Sequence, residues 1–296
     1  MILAENLRKT FGPLVAVDSV SFEVPTGQVF GLLGPNGAGK TTTIQMLVGI
    51  VRPDGGRVQI AGSTDPTRPE VRRRIGLAPQ SLAVYGRLTA AENLAFFGKL
   101  YGLRGRALRR RIEWALDFAG LTERRDDRVE TYSGGMKRRL NMAAALIHDP
   151  AVLIFDEPTV GVDPQSRNRM FDSFETLKTH GRTIIYTTHY IEEAARLCDR
   201  VAIIDHGRLL ACDTVDRLIA AYGGKSAVTA ELARPPRDPN SLPGPLEGST
   251  LRFDTDHPLE DIGRLTAAGV EFVTLRVDRP DLETVFLTLT GRRLRD

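Results

Sequence analysis

The residues with the clearest chemical potential form one short run near the N-terminus. The run fits the pattern G-x-x-x-x-G-K-[ST], which shapes a loop around phosphate. Its glycines let successive N–H groups point at one anion, and a helix that follows adds its positive N-terminal end. The lysine can reach the β- and γ-phosphates, and the first threonine can ligate Mg²⁺. We therefore predict a nucleotide site formed by Gly34, Pro35, Asn36, Gly37, Ala38, Gly39, Lys40, Thr41 and Thr42.

A pair of carboxylates follows an almost continuous apolar run at 151–155. Such a run is typical of a strand buried on both faces. Asp156, at the end of that strand, can hold Mg²⁺ through its water shell. Glu157 is then placed to orient or deprotonate the water that attacks the γ-phosphate. Alone, an acidic pair after a strand is more often structural; together with the phosphate loop it favours catalysis.

Three further features carry chemistry only in combination. Ser133, Gly134 and Gly135 open a helix, which makes a second anion-binding terminus. One chain seldom needs two such termini on one triphosphate unless a second copy supplies one of them. His189 follows a predicted strand and can donate to the γ-phosphate, and Gln80 can reach Mg²⁺ or the attacking water. Taken singly, Ser133-Gly134-Gly135 is better explained as a helix cap and His189 as a structural strand end, and Gln80 carries no information.

The elements that must position these residues alternate between strands and helices, which predicts an α/β layer with a mostly parallel sheet. Residues 1–28 alternate apolar and polar residues and predict two antiparallel strands. Thr89 is a candidate N-cap, and Trp114 is expected in the core. Further predicted strands are 28–33, 57–61, 75–79, 151–156, 182–187 and 201–205, and predicted helices are 42–50, 88–101, 107–119 and 191–197.

The composition changes after about residue 222. Five prolines crowd the segment 235–245, and a small α+β pattern surrounds it. We predict a main domain at 1–222, with a helical part at about 81–145, and a small accessory domain at 223–296. The accessory domain has predicted strands at 227–231, 250–253 and 270–277 and predicted helices at 258–267 and 280–290.

Composition excludes several function classes. The 296 residues have a net charge of +3, and their basic clusters lack interleaved aromatic residues, so no nucleic-acid partner is expected. Two cysteines do not make a disulfide framework. The N-terminus shows no secretory signal, and no stretch approaches 18 apolar residues. We therefore expect a cytoplasmic chain in a reducing compartment.

The motifs occur in one series, each at a strand-to-helix junction. In this series the chain resembles the ATP-binding cassette (ABC) ATPase family over roughly residues 1–217. The resemblance implies ATP and Mg²⁺ as ligands and the family's fold. That fold is an α/β P-loop ATPase domain with a mostly parallel sheet core, an antiparallel β subdomain and a helical subdomain, here followed by the small α+β C-terminal domain.

The resemblance also implies a role for each matching residue. Phe11 stands where many relatives have an adenine-stacking Tyr. The remaining roles are catalysis for Glu157, His189 and Gln80; Mg²⁺ for Thr41, Gln80 and Asp156; contact with the other protomer's ATP for Ser133, Gly134 and Gly135; and the dimer interface for Asp163.

As partners, the resemblance implies a second copy packed head-to-tail and a separate integral membrane permease, with the chain peripheral on the inner face of the cell membrane. The family's signature motif matches residues 132–136, where Met136 and Tyr132 depart from the usual residues. Since the phosphate contacts come mainly from Ser133 and the glycine backbones, activity is expected to survive. The signature resembles that of the drug-resistance and nodulation-export branch. Residues 282–292 resemble the tail of daunorubicin-type exporters, and this tail alone favours export over import.

Two other functions fit parts of the pattern. A soluble ABC ATPase acting on ribosomes, DNA or protein machinery usually carries two cassettes or a long coiled coil, and this chain has neither pattern. A regulatory binder that uses ATP only as a switch would not need Glu157 and His189. The resemblance implies that a permease, and not this chain, selects the cargo.

Overall fold

A computed structural model describes residues 1–235, 241–292 and 294 of the chain. Within these residues the strands, in chain order, are β1 (Ile2–Phe11), β2 (Leu14–Val24), β3 (Val29–Leu33), β4 (Gly55–Ile60), β5 (Ile75–Ala78), β6 (Val152–Asp156), β7 (Thr183–Thr188), β8 (Arg200–Asp205), β9 (Arg208–Asp213), β10 (Ser226–Leu232), β11 (Leu246–Glu247), β12 (Thr250–Thr255) and β13 (Phe272–Asp278).

The α-helices of the described residues lie between these strands, as the alternating pattern predicts. In chain order they are α1 (Lys40–Leu47), α2 (Pro69–Arg72), α3 (Ala90–Leu100), α4 (Gly105–Phe118), α5 (Gly134–Leu146), α6 (Pro164–Thr179), α7 (Ile191–Leu197), α8 (Val215–Tyr222), α9 (Pro258–Ala267) and α10 (Leu282–Thr290).

The central sheet has the order β5-β6-β7-β3-β8-β9. Its pairs are parallel except for β8 with β9, which is antiparallel. Every residue of β3, β6 and β7 is buried, which explains why these strands read as nearly continuous apolar runs. Because parallel strands all end at one edge of the sheet, the loops after β3, β6 and β7 lie together. The α/β fold class predicted from the sequence is confirmed.

A second, antiparallel sheet with the order β2-β1-β4 contributes to the same core. Alternate residues of β1 and β2, including Ile2, Leu7, Val20 and Val24, are fully buried. They belong to one apolar cluster with residues of α1 and of the central sheet. Helix α1, which follows the phosphate loop, therefore packs between the two sheets.

The helices α3, α4 and α5 share a separate apolar cluster. Thr89 caps α3 as predicted, in a capping box with Glu92. The prediction for Trp114 is wrong: its side chain is 39% exposed. It lies on the outer side of α4, where the Arg111 guanidinium sits 4.1 Å above its ring and the Phe118 ring stacks against it.

Helix α6 and strand β9 are among the elements that were not predicted from the sequence. Helix α6 begins with Asp163 as N-cap and Pro164 in its first turn, a standard helix start. Only four of its residues are buried, so its apolar periodicity is thin. Strand β9 buries only Ala211, because it lies at the edge of the sheet.

The described residues divide into two compact units, one of which holds Met1–Val215 and Leu294 and the other residues 216–292. The second unit contains a four-stranded sheet in the order β11-β12-β10-β13. Its apolar core includes Val228, Leu251, Phe253 and Leu265, the last from helix α9. Among the described residues, no helix is long and apolar enough to cross a membrane.

Candidate active site at the ends of three parallel strands

The phosphate loop joins β3 to α1, in the strand–loop–helix context that its motif requires. Gly37 and Gly39 have φ angles of 82° and 99°, in the left-handed region that favours glycine. A Cβ on Gly34 would lie 2.1 Å from the Ile204 carbonyl oxygen, so no larger residue fits there. Pro35, Asn36, Ala38 and Thr42 complete the same loop and the start of α1.

Lys40 lies inside this loop with only 4% of its surface exposed. Its Nζ donates to the carbonyl oxygens of Gly34 at 2.7 Å and Pro35 at 3.0 Å. It also forms an ion pair of 2.9 Å with the Glu157 Oε1 atom. The buried ammonium group is therefore fully paired, and its charge lies at the centre of the loop.

Glu157 brings three predicted catalytic side chains together. Besides Lys40 on Oε1, its Oε2 atom accepts a hydrogen bond of 3.0 Å from the Gln80 side chain. The same oxygen lies 3.3 Å from His189 Nδ1, although that buried nitrogen makes no aligned hydrogen bond. These contacts place the ends of β5, β6 and β7 around one carboxylate. A carboxylate placed within hydrogen-bond reach of a water molecule can act as a general base.

The backbone of Glu157 is strained, with a φ angle of 45°. Left-handed backbone is uncommon for residues other than glycine, and costs roughly 1–3 kcal/mol. Strand β7 stabilises this strained backbone conformation, because the Thr187 hydroxyl accepts a 2.8 Å hydrogen bond from the Glu157 N–H. The same hydroxyl donates to the Asp156 Oδ1 atom at 2.7 Å. Thr187 thus fixes both acidic residues, although sequence reasoning did not single it out.

Asp156 ends β6 with only 3% of its surface exposed. Burial raises the pKa of its carboxyl above the ordinary value, against the opposing effect of hydrogen bonds from the Thr187 and Thr41 hydroxyls. The structure therefore brings Thr41 and Asp156 together, as predicted for a metal site. Their donors are a hydroxyl and a carboxylate, the hard oxygen ligands that Mg²⁺ prefers.

These residues fit a magnesium ion with few protein ligands. No group of three or more His, Cys, Asp or Glu residues that could hold a metal occurs in the described ranges. Mg²⁺ is usually bound by one or two carboxylates plus substrate phosphates and water, so it needs no such group. The Asp156 carboxylate, whose ionised form is disfavoured by burial, would gain from a cation beside it.

The predicted signature residues form a separate part of the surface. Ser133 caps α5, its hydroxyl accepting from the Met136 N–H, and both Ser133 and Gly134 are exposed. Gly135 is buried against the start of α6: a Cβ there would lie 2.5 Å from Ser166 Oγ and 3.2 Å from Asp163 Oδ1. Asp163 is exposed and accepts a 2.9 Å hydrogen bond from the Ser166 N–H.

Two other residues bear on the site. Phe11, the predicted adenine contact, ends β1 with 48% of its surface exposed and the Lys9 Nζ 5.6 Å from its ring centre. Arg138, which sequence reasoning missed, reaches from α5 to donate to the Gln80 carbonyl oxygen. It links the signature helix to the loop that carries Gln80. Its only sequence signal is its place in the basic run after the signature.

Comparison with known proteins agrees with this geometry. Residues 17–160 match the ABC transporter family model. The chain is 42% identical to the linearmycin resistance ATP-binding protein LnrL of Bacillus subtilis (strain 168), over 100% of both chains. It is also 42% identical to the Nod factor export ATP-binding protein I of Cupriavidus metallidurans, covering 98% of this chain and 97% of that protein.

Among solved structures, an ATP-binding subunit of an ABC transporter superposes with a TM-score of 0.69 at 30% identity. The match covers 75% of this chain and 93% of that structure. The chain therefore belongs to the ABC transporter family, as an ATP-binding and ATP-hydrolysing subunit of the exporter branch that includes the linearmycin-resistance and Nod-factor-export proteins.

Proposed function

We propose that two copies of this chain bind ATP and Mg²⁺ between them and power export through a separate integral membrane permease. The observation that carries the catalytic part is the buried carboxylate of Glu157, in contact with Lys40, Gln80 and His189. In this proposal Glu157 is the general base, and Gln80 and His189 orient the water and the γ-phosphate.

Lys40 explains how ATP binding and base activation are linked. Its ammonium group is paired with the Oε1 atom of Glu157, so that oxygen is already occupied. A triphosphate in the loop competes for the same ammonium group, because phosphate oxygens pair strongly with lysine. When Lys40 turns toward the phosphates, the Glu157 oxygen is released to accept a proton from water.

Thr41, Asp156 and Gln80 are the residues that would hold the magnesium ion. When bound, Mg²⁺ supplies positive charge that stabilises the negative charge developing on the phosphates. Phe11, exposed at the end of β1, offers the stacking surface for adenine.

The second copy accounts for the exposed start of α5. Ser133 and Gly134 lie at the N-terminus of α5, a helix of 13 residues. Both residues are exposed, so a ligand can reach this terminus. Within one chain, this terminus and the phosphate loop are separate sites. In a head-to-tail dimer, each terminus would face the other copy's ATP, and Asp163, beside Gly135, would lie at the interface.

A groove beside the helical part suits a permease. The groove has a volume of about 380 Å³ and is mostly apolar, lined by residues that include Ile50, Leu77, Phe97 and Tyr101 with Arg72 among them. Ile50 is 60% exposed. An amphipathic helix placing apolar side chains into such a groove is a common recognition mode. We assign the groove to a cytoplasmic segment of the permease, which would hold the chain at the inner face of the membrane.

Export as the direction, and a drug-like, lipid or polysaccharide cargo, are supported by the relatives. One is named for linearmycin resistance and another for Nod factor export, and both align over nearly the whole chain, including the C-terminal unit. A soluble role on ribosomes, nucleic acid or protein machinery lacks such support.

The test uses a tagged Glu157→Gln chain expressed in its native host, loaded with ATP and purified from gently solubilised membranes. The expected result is a polytopic membrane protein in stoichiometric amount. Recovery of ribosomal or DNA-bound partners without a membrane protein would overturn the transporter proposal.

A matched pair of surface variants tests the groove in the same experiment. Ile50→Asp places a charge in the groove, whereas Leu259→Asp changes a 70% exposed leucine that does not line it. We expect the first variant to lose the membrane protein and the second to retain it. Equal recovery with both variants would contradict the groove assignment.

A further inference from the structure

Glu193 is a buried carboxylate that the mechanism above does not use. It lies in the first turn of α7, and only 2% of its surface is exposed. Its Oε2 atom accepts hydrogen bonds from three hydroxyl groups: Tyr186 at 2.8 Å, Thr188 at 2.8 Å and Thr159 at 3.0 Å. A carboxylate oxygen can satisfy several donors at once, and these charge-assisted hydrogen bonds are strong.

Two of these donors lie close in sequence to the proposed catalytic residues. Thr159 comes two residues after Glu157, on the chain that leaves β6. Thr188 immediately precedes His189, and its hydroxyl also accepts a 2.9 Å hydrogen bond from the Tyr190 N–H. Glu193 therefore joins the loop that carries the proposed base to the loop that carries the histidine.

This connection completes the support of a strained residue. The φ angle of Glu157 is 45°, and Thr187 holds its backbone N–H from the side of β7. Strained backbone persists only where the surrounding structure over-determines it. The bond from Thr159 to Glu193 is the corresponding restraint on the C-terminal side of Glu157.

The other carboxylate oxygen faces α6. Glu193 Oε1 is buried without a hydrogen-bond partner, and the Arg167 Nε atom lies 3.8 Å from it. The Arg167 guanidinium also stacks over the Tyr190 ring at 4.8 Å. Arg167 belongs to the first turns of the helix that Asp163 caps. The Glu193 carboxylate thus lies between the segment after β6, the segment after β7 and helix α6.

We infer that Glu193 is a positioning residue for ATP hydrolysis, which holds Glu157 and His189 at a fixed separation through Thr159 and Thr188. The inference rests on the proposed catalytic role of Glu157. Tyr186 provides an internal comparison, because its hydroxyl binds the same oxygen from a position in β7 that adjoins neither Glu157 nor His189. Its hydroxyl lies 3.5 Å from that of Thr159, a longer contact than the one each makes with Glu193.

The first test compares Glu193→Gln with Glu192→Gln in the purified full-length chain. Glu192 is the adjacent residue of α7 and is exposed. For Glu193→Gln we expect kcat to fall about 10- to 100-fold, the range expected when a catalytic group is displaced. The KM for ATP should change by less than roughly threefold, because Lys40 and the phosphate loop are untouched. Glu192→Gln should match the wild type.

The second test removes one hydroxyl at a time. Thr159→Val and Thr188→Val preserve shape and break the links to Glu157 and His189, so both should lower kcat. Tyr186→Phe removes an equally short hydrogen bond and should lower the melting temperature while leaving kcat within about twofold. If Tyr186→Phe lowers kcat as much as Thr159→Val does, Glu193 has only a structural role and the inference is wrong.

The energetic coupling between Glu193 and Thr159 gives a third readout. If Glu193 acts through Thr159, the double variant Glu193→Gln/Thr159→Val should have the kcat of Glu193→Gln alone. Additive losses would overturn that pathway. The threonine variants decide the question even if Glu193→Gln does not fold.

The proposed function fails separately. Wild-type activity of Glu157→Gln would remove the base on which the inference rests. An inactive Glu157→Gln together with a fully active Glu193→Gln would refute the positioning role alone.

Discussion

Adjacent carboxylates at the end of β6 are given different chemistry by their neighbours. Asp156 is surrounded by the hydroxyls of Thr187 and Thr41, and burial raises the pKa of its carboxyl. Glu157, one residue later, turns through a left-handed backbone conformation toward Lys40, Gln80 and His189. The turn points the two side chains at different partners, so that one can serve a cation and the other a water molecule.

Replacing Glu157 by Gln tests the assigned base. The amide keeps the size of the side chain and an oxygen for Lys40, but it cannot take a proton at neutral pH. We expect ATP binding to persist while the hydrolysis rate falls by about 10²–10⁴-fold. Steady-state phosphate release and nucleotide binding measure the two quantities.

The matched control for this substitution is Glu175→Gln, which makes the same change at an exposed position of α6. It should hydrolyse ATP at the wild-type rate. Hydrolysis by Glu157→Gln at a rate close to that of the control would show that Glu157 is not the base.

Asp156 provides a pH-dependent prediction. Because its pKa is raised above the ordinary 3.8 in the folded chain, the folded state holds this proton more tightly than the unfolded state does. The stability that this group contributes is therefore complete below about pH 3.8 and is lost as the pH rises through the raised pKa. Above this raised pKa, and without a cation, the ionised Asp156 opposes folding.

Asp156→Asn should consequently raise the melting temperature of the nucleotide-free protein at pH 7, by about 2–4 °C for each kcal/mol of burial penalty removed. The gain should shrink as the pH is lowered toward 3.8, and magnesium-dependent hydrolysis should be lost. Thermal unfolding at several pH values measures the effect.

Asp163→Asn is a control of opposite sign. Hydrogen bonds from Ser166 lower the pKa of Asp163, so its contribution is present above 3.8 and is lost as the pH falls. This control should lower the melting temperature at pH 7. A lower melting temperature for Asp156→Asn as well would contradict the assigned burial penalty.

At the residue scale, motif chemistry was predictable and packing was not. Lys40 and Glu157 could be placed in one site because a phosphate loop and a strand-end acidic pair are both local patterns. Thr187 and Glu193 were not singled out, since their importance comes from the pairing of β7 with β6 and from three hydroxyls meeting at one oxygen. Nothing local to either residue distinguishes it from an ordinary strand or helix position.

At the scale of elements, burial on both faces made the central strands easy to predict. Edge strand β9 and helix α6, which bury few residues, were missed for the complementary reason. The exposure of Trp114 also depends on tertiary structure, because an apolar residue on a helix can pack against its own neighbours, here Arg111 and Phe118. Sequence patterns report how deeply an element is buried more reliably than which face is covered.

The start of α5 yields a prediction at this scale. A Cβ on Gly134 would approach only the Gly161 carbonyl oxygen, at 3.7 Å, whereas one on Gly135 would meet Ser166 at 2.5 Å. Gly134→Ala should therefore fold normally and bind ATP at its own phosphate loop. If the other copy's ATP must approach this backbone closely, its hydrolysis rate should fall at least about 10-fold.

Gly135→Ala separates packing from ligand approach. It should lower the melting temperature because Ser166 and Asp163 must move. Gly134→Ala should not, which thermal unfolding can verify. Wild-type hydrolysis by Gly134→Ala would mean that the start of α5 does not face a nucleotide.

At the scale of the whole molecule, the question is whether each active site is shared between two copies. The phosphate loop and the exposed start of α5 belong to Met1–Val215, so a single unit provides both halves of the proposed site. If both halves of a site lie in one chain, a defect in the phosphate loop or in the start of α5 of that chain cannot be compensated by another chain. If they act across a dimer, chains with different defects can complement one another.

Mixing two variants with impaired hydrolysis decides between these possibilities. Lys40→Gln disables the phosphate loop while keeping a donor for the Gly34 carbonyl oxygen, and Gly134→Ala disables the start of α5. A mixed dimer contains one site in which both halves are intact. The mixture should therefore hydrolyse ATP faster than either variant alone at the same total concentration, with a rate that increases more than linearly with protein concentration. The matched control mixes Lys40→Gln with a Lys40→Gln/Gly134→Ala chain, which cannot form an intact site. A mixture no faster than the mean of its components would place both halves of the site in one chain and exclude the shared-site dimer.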